Sequence, residues 1–296
     1  MAVIDGHLKG VPLGTVPISL NQVAGQGRNL LSGDLPLPAA VIRESALRRN
    51  SEWMQQFLRL SGALLCPHGK TTMSPQLFER QLRDGAWGII ISTVQQLYVT
   101  RQHCFKRVLM ANQIVGRQEI RYVLDEIAKD PEFDFFCLVD SVDGVARLVE
   151  AARDRSPDRS LQVLVEGGYA GGRTGCRTLE EALCVARAVR HVDPLLTLCG
   201  VEEYEGTLHL SEGSDTARRV CSFVKFLISI AVTCAEENLY ARGPIMLSVG
   251  RSAFYDLVAC RSDFVTAEAA GGVGVLPLDG PSVGGVGVDI AAELAS

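Results

Sequence analysis

The chain has 296 residues, of which 47% are hydrophobic and 21% charged, and its net charge is −5. This composition is typical of a globular protein with a large core and excludes an intrinsically disordered chain. The slightly acidic balance, without long basic runs, argues against a nucleic-acid partner.

The first part of the chain contains little predicted regular structure. Residues 1–33 contain many glycines and prolines and are predicted to form an irregular lead-in. The apolar run at residues 37–42 predicts an isolated strand, and the amphipathic pattern at 44–60 predicts a helix. We therefore expect the folded domain to begin at residue 34.

From residue 63 onward, short apolar runs alternate with segments of helical periodicity. Strands are predicted at 63–66, 88–92, 107–111, 134–139, 161–166, 195–200 and 245–249. Helices are predicted at 75–83, 94–103, 118–129, 142–152, 179–190 and 217–238. Runs that are apolar on both faces suit a parallel sheet covered by helices. Repeated βα units at this length predict an α/β fold, either a (β/α)8 TIM-type barrel or a doubly wound sheet.

The end of the chain differs in character from the rest. An eighth strand would fall within residues 274–278, and without it the barrel is incomplete. Residues 261–296 are rich in Gly, Ala and Val and show no clear period. We therefore treat 261–296 as an atypical tail after a domain that ends at residue 260.

The cysteines and the apolar segments indicate in which cellular compartment the protein is expected. The nine cysteines are scattered and form no Cys-x-x-Cys pair, which favours reduced thiols in a cytoplasmic protein. The chain start lacks the basic and apolar pattern of a signal peptide. The longest apolar segment, residues 223–234, contains Lys225 and is shorter than the roughly 20 residues of a membrane span. We therefore expect no membrane partner.

Polar or glycine-rich segments follow the carboxyl ends of the predicted strands, at 67–72, 112–113, 140–141, 167–175, 204–206 and 250–252. In α/β barrels the active site forms at that edge, so one pocket can gather them. Lys70 lies there in a loop rich in Pro and Gly, where a partly desolvated amine has a lowered pKa and can form a Schiff base. The alternative interpretation of Lys70 is a solvated surface lysine.

The segment GGYAGGRT, residues 167–174, resembles a phosphate-binding Walker A loop with Arg173 in place of the required lysine. An apolar strand that ends at Asp140 resembles the accompanying Walker B strand. These motifs predict a nucleotide triphosphatase, a hypothesis that leaves the loop at 67–72 unexplained.

The stretch PHGKTTMSPQLFERQLRDGAWGIIISTVQQLYVTRQHCFKRVLMANQ, residues 67–113, resembles one known family. This is the bacterial amino-acid deaminase and D-threonine-aldolase-like family, which includes D-serine dehydratases and has the alanine racemase N-terminal fold. The resemblance extends over residues 29–259. It implies a fold-type III pyridoxal-phosphate (PLP) enzyme in which residues 34–260 form the PLP-binding barrel. It also implies that Lys70 holds the cofactor as the internal aldimine and is the catalytic lysine.

The resemblance assigns roles to three further residues around the cofactor ring. Arg173 matches an arginine that faces the phenolic oxygen of the cofactor, where a fixed cation steadies negative charge. Tyr204 matches a tyrosine that lines the cofactor face, and its alternative is a buried core tyrosine. His68 is expected to orient the loop or the cofactor, and its alternative is a hydrogen-bonded structural histidine.

The cofactor phosphate is expected at residues 250–252. These residues open a predicted helix, so backbone N–H groups at Gly250 and the Ser252 hydroxyl can hold a phosphate there. The family usually has glycine where this chain has Arg251. That side chain either adds a cation to the phosphate site or blocks the close approach that glycine allows.

The implied function is a lyase that acts on D-amino acids. One outcome is the deamination of a β-hydroxy D-amino acid such as D-serine, and the other is D-threonine-aldolase-type retro-aldol cleavage. Thr71-Thr72-Met73 favours the deaminase branch, since the aldolase branch tends to have histidine in place of Thr72. The family also implies a homodimer.

A divalent metal is also expected from the family, where a His and a Cys in a C-terminal β domain bind it. Nothing after Cys260 resembles that domain, so we find no metal ligands in this sequence. The remaining alternative is a truncated PLP-binding barrel without catalysis. We therefore expect very slow turnover of D-serine or D-threonine by this chain.

Overall fold

The computed structural model describes residues 3–155, 159–204, 216–240 and 245–249, and the backbone of 273–274 and 277–278. The chain divides into two units, Met1–Asn50 and Ser51–Ser296. In the first, β1 (Val3–Ile4) pairs antiparallel with β2 (Ile18–Ser19), and three short 3-10 turns follow. The helix predicted from residue 44 is α1 (Glu44–Ser61), which begins in this unit and ends in the second.

The strand predicted at residues 37–42 is wrong, because this segment has no regular structure. Pro36 and Pro38 have no N–H to donate to a neighbouring strand. Within the described part of the chain, no strand pairs with the segment. An apolar composition was therefore not sufficient to predict a strand at residues 37–42.

In the second unit, strands and helices alternate as predicted. The first strands are β3 (Leu65–Cys66), β4 (Ile89–Ile91), β5 (Arg107–Gln113) and β6 (Asp134–Val139), followed by β7 (Leu161–Gly167), β8 (Leu196–Glu203) and β9 (Ile245–Val249). The helices are α2 (Pro75–Arg83), α3 (Val94–Gln102), α4 (Arg117–Lys129), α5 (Val142–Arg155), α6 (Leu179–His191) and α7 (Thr216–Glu236). Strands β4 to β9 lie side by side, in chain order and parallel.

Two short antiparallel strands occupy the region where an eighth strand was predicted. β10 (Val273–Gly274) lies between β3 and β9, and β11 (Pro277–Leu278) pairs with β9. On its other side β3 adjoins β4, since Ile90 N–H donates to Pro67 O at 2.9 Å just after β3. The sheet therefore curls round on itself as an incomplete version of the predicted (β/α)8 barrel.

Apolar side chains cover both faces of the curled sheet. The outward set packs against the helices in one large cluster. The inward set consists of Cys66, Ile90, Leu109, Phe136, Leu138, Leu164 and Met246. Burial on both faces explains why the strands form continuous apolar runs instead of alternating with polar residues.

One close contact fixes the spacing of two neighbouring strands. A Cβ on Gly200 in β8 would lie 1.9 Å from the carbonyl oxygen of Met246 in β9. Only glycine fits at this position, because any side chain would push the two strands apart.

Candidate functional site

Lys70 lies on a short 3-10 turn, Gly69–Thr71, between β3 and α2. Gly69 is buried against Phe78, and a Cβ on Gly69 would lie 2.6 Å from the phenyl ring. His68 caps the turn, because its Nδ1 accepts a hydrogen bond from the Lys70 N–H at 3.4 Å. The backbone of Lys70 is therefore held in the turn, while its side chain is only partly covered and reaches solvent.

His68 is neutral at pH 7. Burial, and next the positive charge of Lys70, lowers the pKa of His68 to about 4. Since Nδ1 accepts a hydrogen bond, the ring proton is on Nε2, which lies 3.3 Å from Ser92 Oγ. His68 therefore orients the Lys70 turn without adding charge to this edge of the sheet.

The Lys70 amine has an altered proton affinity. Partial burial, and next the positive charge of Arg173, lowers the pKa of Lys70 below its ordinary value. A lower pKa increases the neutral fraction of the amine at pH 7, and the neutral form is the one that attacks a carbonyl carbon.

Arg173 and Tyr204 lie together in the same region. Arg173 is in the loop between β7 and α6, and Tyr204 directly follows β8. The guanidinium carbon is 4.9 Å from the centre of the Tyr204 ring, which is a cation–π distance. The charge of Arg173 also lowers the pKa of both Lys70 and His68. The structure thus brings these four predicted residues together at the carboxyl edge of the sheet.

Glu166, near the end of β7, was not singled out by the sequence. Leu164 faces the barrel interior, and Glu166, two residues later, faces the same way. Its side chain accepts hydrogen bonds from Gln113 Nε2 and from Thr174 Oγ1, the second at 2.5 Å. Glu166 is only 5% exposed, and burial raises the pKa of its carboxyl group. The sequence feature that could have identified Glu166 was an acidic residue at the carboxyl end of a predicted strand.

Gln113, at the end of β5, contacts this carboxylate from inside the barrel. The pairing between β5 and β6 shifts between Met110 and Gln113, so that Gln113 lies opposite Leu138. Because Leu138 faces the barrel interior, Gln113 does so as well. The predicted strand ended at residue 111 and therefore missed this orientation.

Gly250 and Ser252, predicted to bind the cofactor phosphate, lie outside the described residues. Arg251 lies outside them too. Their role stays a prediction.

The geometry of the GGYAGGRT segment does not support a Walker A loop. In such a loop the final Ser or Thr opens the helix. Here α6 begins at Leu179, with Thr178 and Glu181 forming a capping box. Thr174 lies several residues earlier, and its hydroxyl is bonded to Glu166.

Within the described part of the chain, no group of three or more His, Cys, Asp or Glu side chains could hold a metal ion. Of its helices, none is long and apolar enough to span a bilayer.

The fold is an incomplete α/β barrel that is similar to the barrel of alanine racemases. Alanine racemase from Bacillus anthracis has a TM-score of 0.53 and 14% identity, covering 75% of this chain and 54% of that one. No protein-family model matches the chain.

Within this class the chain is similar to D-threonine aldolases and a D-threo-3-hydroxyaspartate dehydratase. A D-threonine aldolase from an Arthrobacter species is 24% identical over 185 residues, which are 62% of this chain and 47% of that protein. The aldolase structure from Filomicrobium marinum has a TM-score of 0.69 and 22% identity, covering 81% of this chain and 62% of that one. The dehydratase structure from Delftia sp. HT23 has a TM-score of 0.65 and 23% identity, covering 80% and 60%.

These similarities confirm the predicted resemblance to D-threonine-aldolase-like proteins with the alanine racemase N-terminal fold. The chain spans about half the length of the curated relative, 47%, and 60–62% of the aldolase and dehydratase structures.

Proposed function

We propose that this chain is the cofactor-binding barrel of a PLP-dependent lyase that acts on β-hydroxy D-amino acids. The observation that carries the proposal is the position of Lys70 on the turn after β3, at the carboxyl edge of the barrel, where burial and the charge of Arg173 lower the pKa of its amine. A lowered pKa favours Schiff-base formation. The names of the similar proteins give further support, because D-threonine and D-threo-3-hydroxyaspartate are both β-hydroxy D-amino acids.

The described residues fit PLP. Lys70 would hold the cofactor covalently, Arg173 would place a cation at its phenolic oxygen, and Tyr204 would line the site. We assign the phosphate to Gly250 and Ser252 on the family resemblance. When bound, the cofactor would supply an electron sink for bonds broken at the substrate α-carbon.

The residues of the chain itself supply binding and proton transfer. Arg173 offers charge-assisted hydrogen bonds to an anionic oxygen. A free Lys70 Nζ would serve as a base at this edge. Its lowered pKa makes the neutral, proton-accepting form of the amine more abundant than in an ordinary lysine. His68 stays neutral and keeps the Lys70 turn in place.

Two reaction outcomes remain open within this proposal. The sequence at Thr72 favours loss of the β-hydroxyl, which yields a keto acid and ammonia. The similarity to D-threonine aldolases favours retro-aldol cleavage, which yields glycine and an aldehyde. The family resemblance also leads us to propose a homodimer, and the scattered cysteines a cytoplasmic location.

The decisive experiment is reduction of the PLP-loaded protein with borohydride, followed by mass mapping. We expect a pyridoxyl group on Lys70, absent from Lys70→Ala and retained in Lys129→Ala, which removes an exposed lysine on α4. A label on another lysine, or none, contradicts the proposal. Assays of keto acid, ammonia, glycine and aldehyde, with and without added zinc or manganese, then distinguish the two outcomes. PLP binding without any product would indicate the truncated, non-catalytic barrel.

A further inference from the structure

The loop after β7 is closed at its base by hydrogen bonds. Gly168 N–H donates to Cys176 O, and Cys176 N–H donates to Glu166 O, both at 2.8 Å. Gly175 N–H donates to Asp140 Oδ2 at 3.3 Å. Both ends of the loop are therefore attached to the carboxyl edge of the sheet.

Arg173 lies within this loop, and the residues on either side of it are restrained. The Arg177 side chain donates to the carbonyl oxygen of Gly172 at 3.2 Å and to that of Thr174 at 2.7 Å. The guanidinium of Arg173 rests on the Tyr204 ring. The backbone on both sides thus determines the direction in which the Arg173 side chain leaves the loop.

A side-chain connection runs from this loop into the barrel interior through Glu166. Thr174, the residue after Arg173, donates its hydroxyl to Oε1, while Gln113 donates its amide N–H to Oε2. The positive charge of Arg173 also favours the ionised form of this carboxylate. A carboxylate with both oxygens engaged, at a buried position, has little freedom to move.

We infer that Glu166 is a positioning residue for Arg173. Through Thr174 it sets the position of the Arg173 guanidinium toward the cofactor, while Gln113, on the inward face of β5 with Leu109 and Ala111, keeps the carboxylate in place. The inference rests on the proposed function, since the cofactor is the group that Arg173 would contact.

The test is a double-mutant cycle on the PLP affinity of the full-length protein, measured by absorbance titration of the cofactor-free form. We expect Arg173→Ala to raise the dissociation constant about tenfold or more. Glu166→Gln should raise it about threefold or more, because Gln113 and Thr174 donate to different carboxylate oxygens and an amide replaces one of these acceptors with an NH2 donor. In the Arg173→Ala background, Glu166→Gln should have almost no further effect on the dissociation constant, because the side chain through which Glu166 acts on the cofactor is already absent.

The matched control is Glu126→Gln, since Glu126 is also buried and hydrogen-bonded but lies in the last turn of α4, at the opposite edge of the sheet. It should leave PLP affinity unchanged. If Glu166→Gln does not fold, Thr174→Val removes the same hydrogen bond from the loop side and should show the same non-additivity.

The outcomes separate the two proposals. A wild-type protein that binds no PLP overturns the proposed function and the inference with it. PLP attached to Lys70, together with unchanged affinity in Glu166→Gln, overturns the inference alone. Effects of Glu166→Gln and Arg173→Ala that add in full do the same, because they show that Glu166 acts independently of Arg173.

Discussion

The two edges of the sheet carry opposite arrangements of charge. At the amino edge, where α3 and α4 end, Arg101 lies between two acids, 3.0 Å from Glu126 and 2.7 Å from Asp130. At the carboxyl edge, Lys70 and Arg173 are two cations close enough for one to lower the pKa of the other. At the amino edge a cation contacts two acids directly, whereas at the carboxyl edge two cations lie near each other and the carboxylate of Glu166 is hydrogen-bonded by the uncharged side chains of Gln113 and Thr174.

This difference is the one expected if the amino edge stabilises the fold and the carboxyl edge binds the proposed ligand. Removing one partner of a partly buried ion pair with good geometry strongly destabilises the folded state. Neighbouring cations repel each other and weaken the folded state, so they persist where a bound anion compensates for them. The contrast can be tested by changing one edge at a time.

The largest effect is expected at the amino edge. Arg101→Leu leaves Glu126 and Asp130 without their shared cation and should lower the free energy of unfolding by about 3 kcal/mol. Lys129→Ala, which removes an exposed partner of Glu126, should lower it by less than about 0.5 kcal/mol. Urea unfolding measures both, and equal losses would mean that the Arg101 network does not stabilise the fold.

At the carboxyl edge, Arg173→Ala should weaken PLP retention by about 1.5–3 kcal/mol. The free energy of unfolding of the cofactor-free protein should change by less than about 0.5 kcal/mol, since an exposed cation next to another cation is removed. Dialysis and urea unfolding check these two results. Arg251→Ala is the comparison variant and should retain more PLP than Arg173→Ala. Equal retention would remove the special role of Arg173.

The neutral His68 predicts a pH dependence of stability. Because the pKa of His68 is lowered to about 4 by burial, the unfolded chain binds more protons than the folded one between that value and the ordinary 6.5. The contribution of His68 to the free energy of unfolding is therefore at its maximum above pH 6.5. It decreases as the pH falls toward 4, by at most about 3 kcal/mol. His68→Gln should show a shallower loss over this window in urea unfolding. Identical pH profiles would contradict a buried neutral imidazole.

The smallest expected effect concerns the Lys70 amine. Arg173→Ala removes the lesser of the two causes that lower the pKa of Lys70, so this pKa should rise slightly and stay below its ordinary value. The pH dependence of imine formation with pyridoxal measures it. An unchanged pH dependence, or a shift to lower pH, would show that the charge of Arg173 does not lower the pKa of Lys70.

The alternation of strands and helices, and the position of Lys70 at one edge, could be predicted from the sequence. Apolar periodicity determines the elements, and the loops after parallel strands meet at one edge. The contact between Glu166 and Gln113 could not be predicted, because periodicity gives the face of each strand but not the level at which residues of the non-adjacent strands β5 and β7 meet, which a bulge in β5 shifts. The strand predicted at residues 37–42 failed for a related reason, since strand formation requires a partner elsewhere in the chain.

Gly200 is a position at which no amino-acid replacement is compatible with the present spacing of β8 and β9. Every single-base change in a glycine codon either leaves glycine in place, introduces a residue with a Cβ, or stops translation. Since a Cβ at this position would overlap the Met246 carbonyl oxygen at 1.9 Å, even alanine would force β8 away from β9. At position 200, only synonymous changes preserve the present spacing of the two strands.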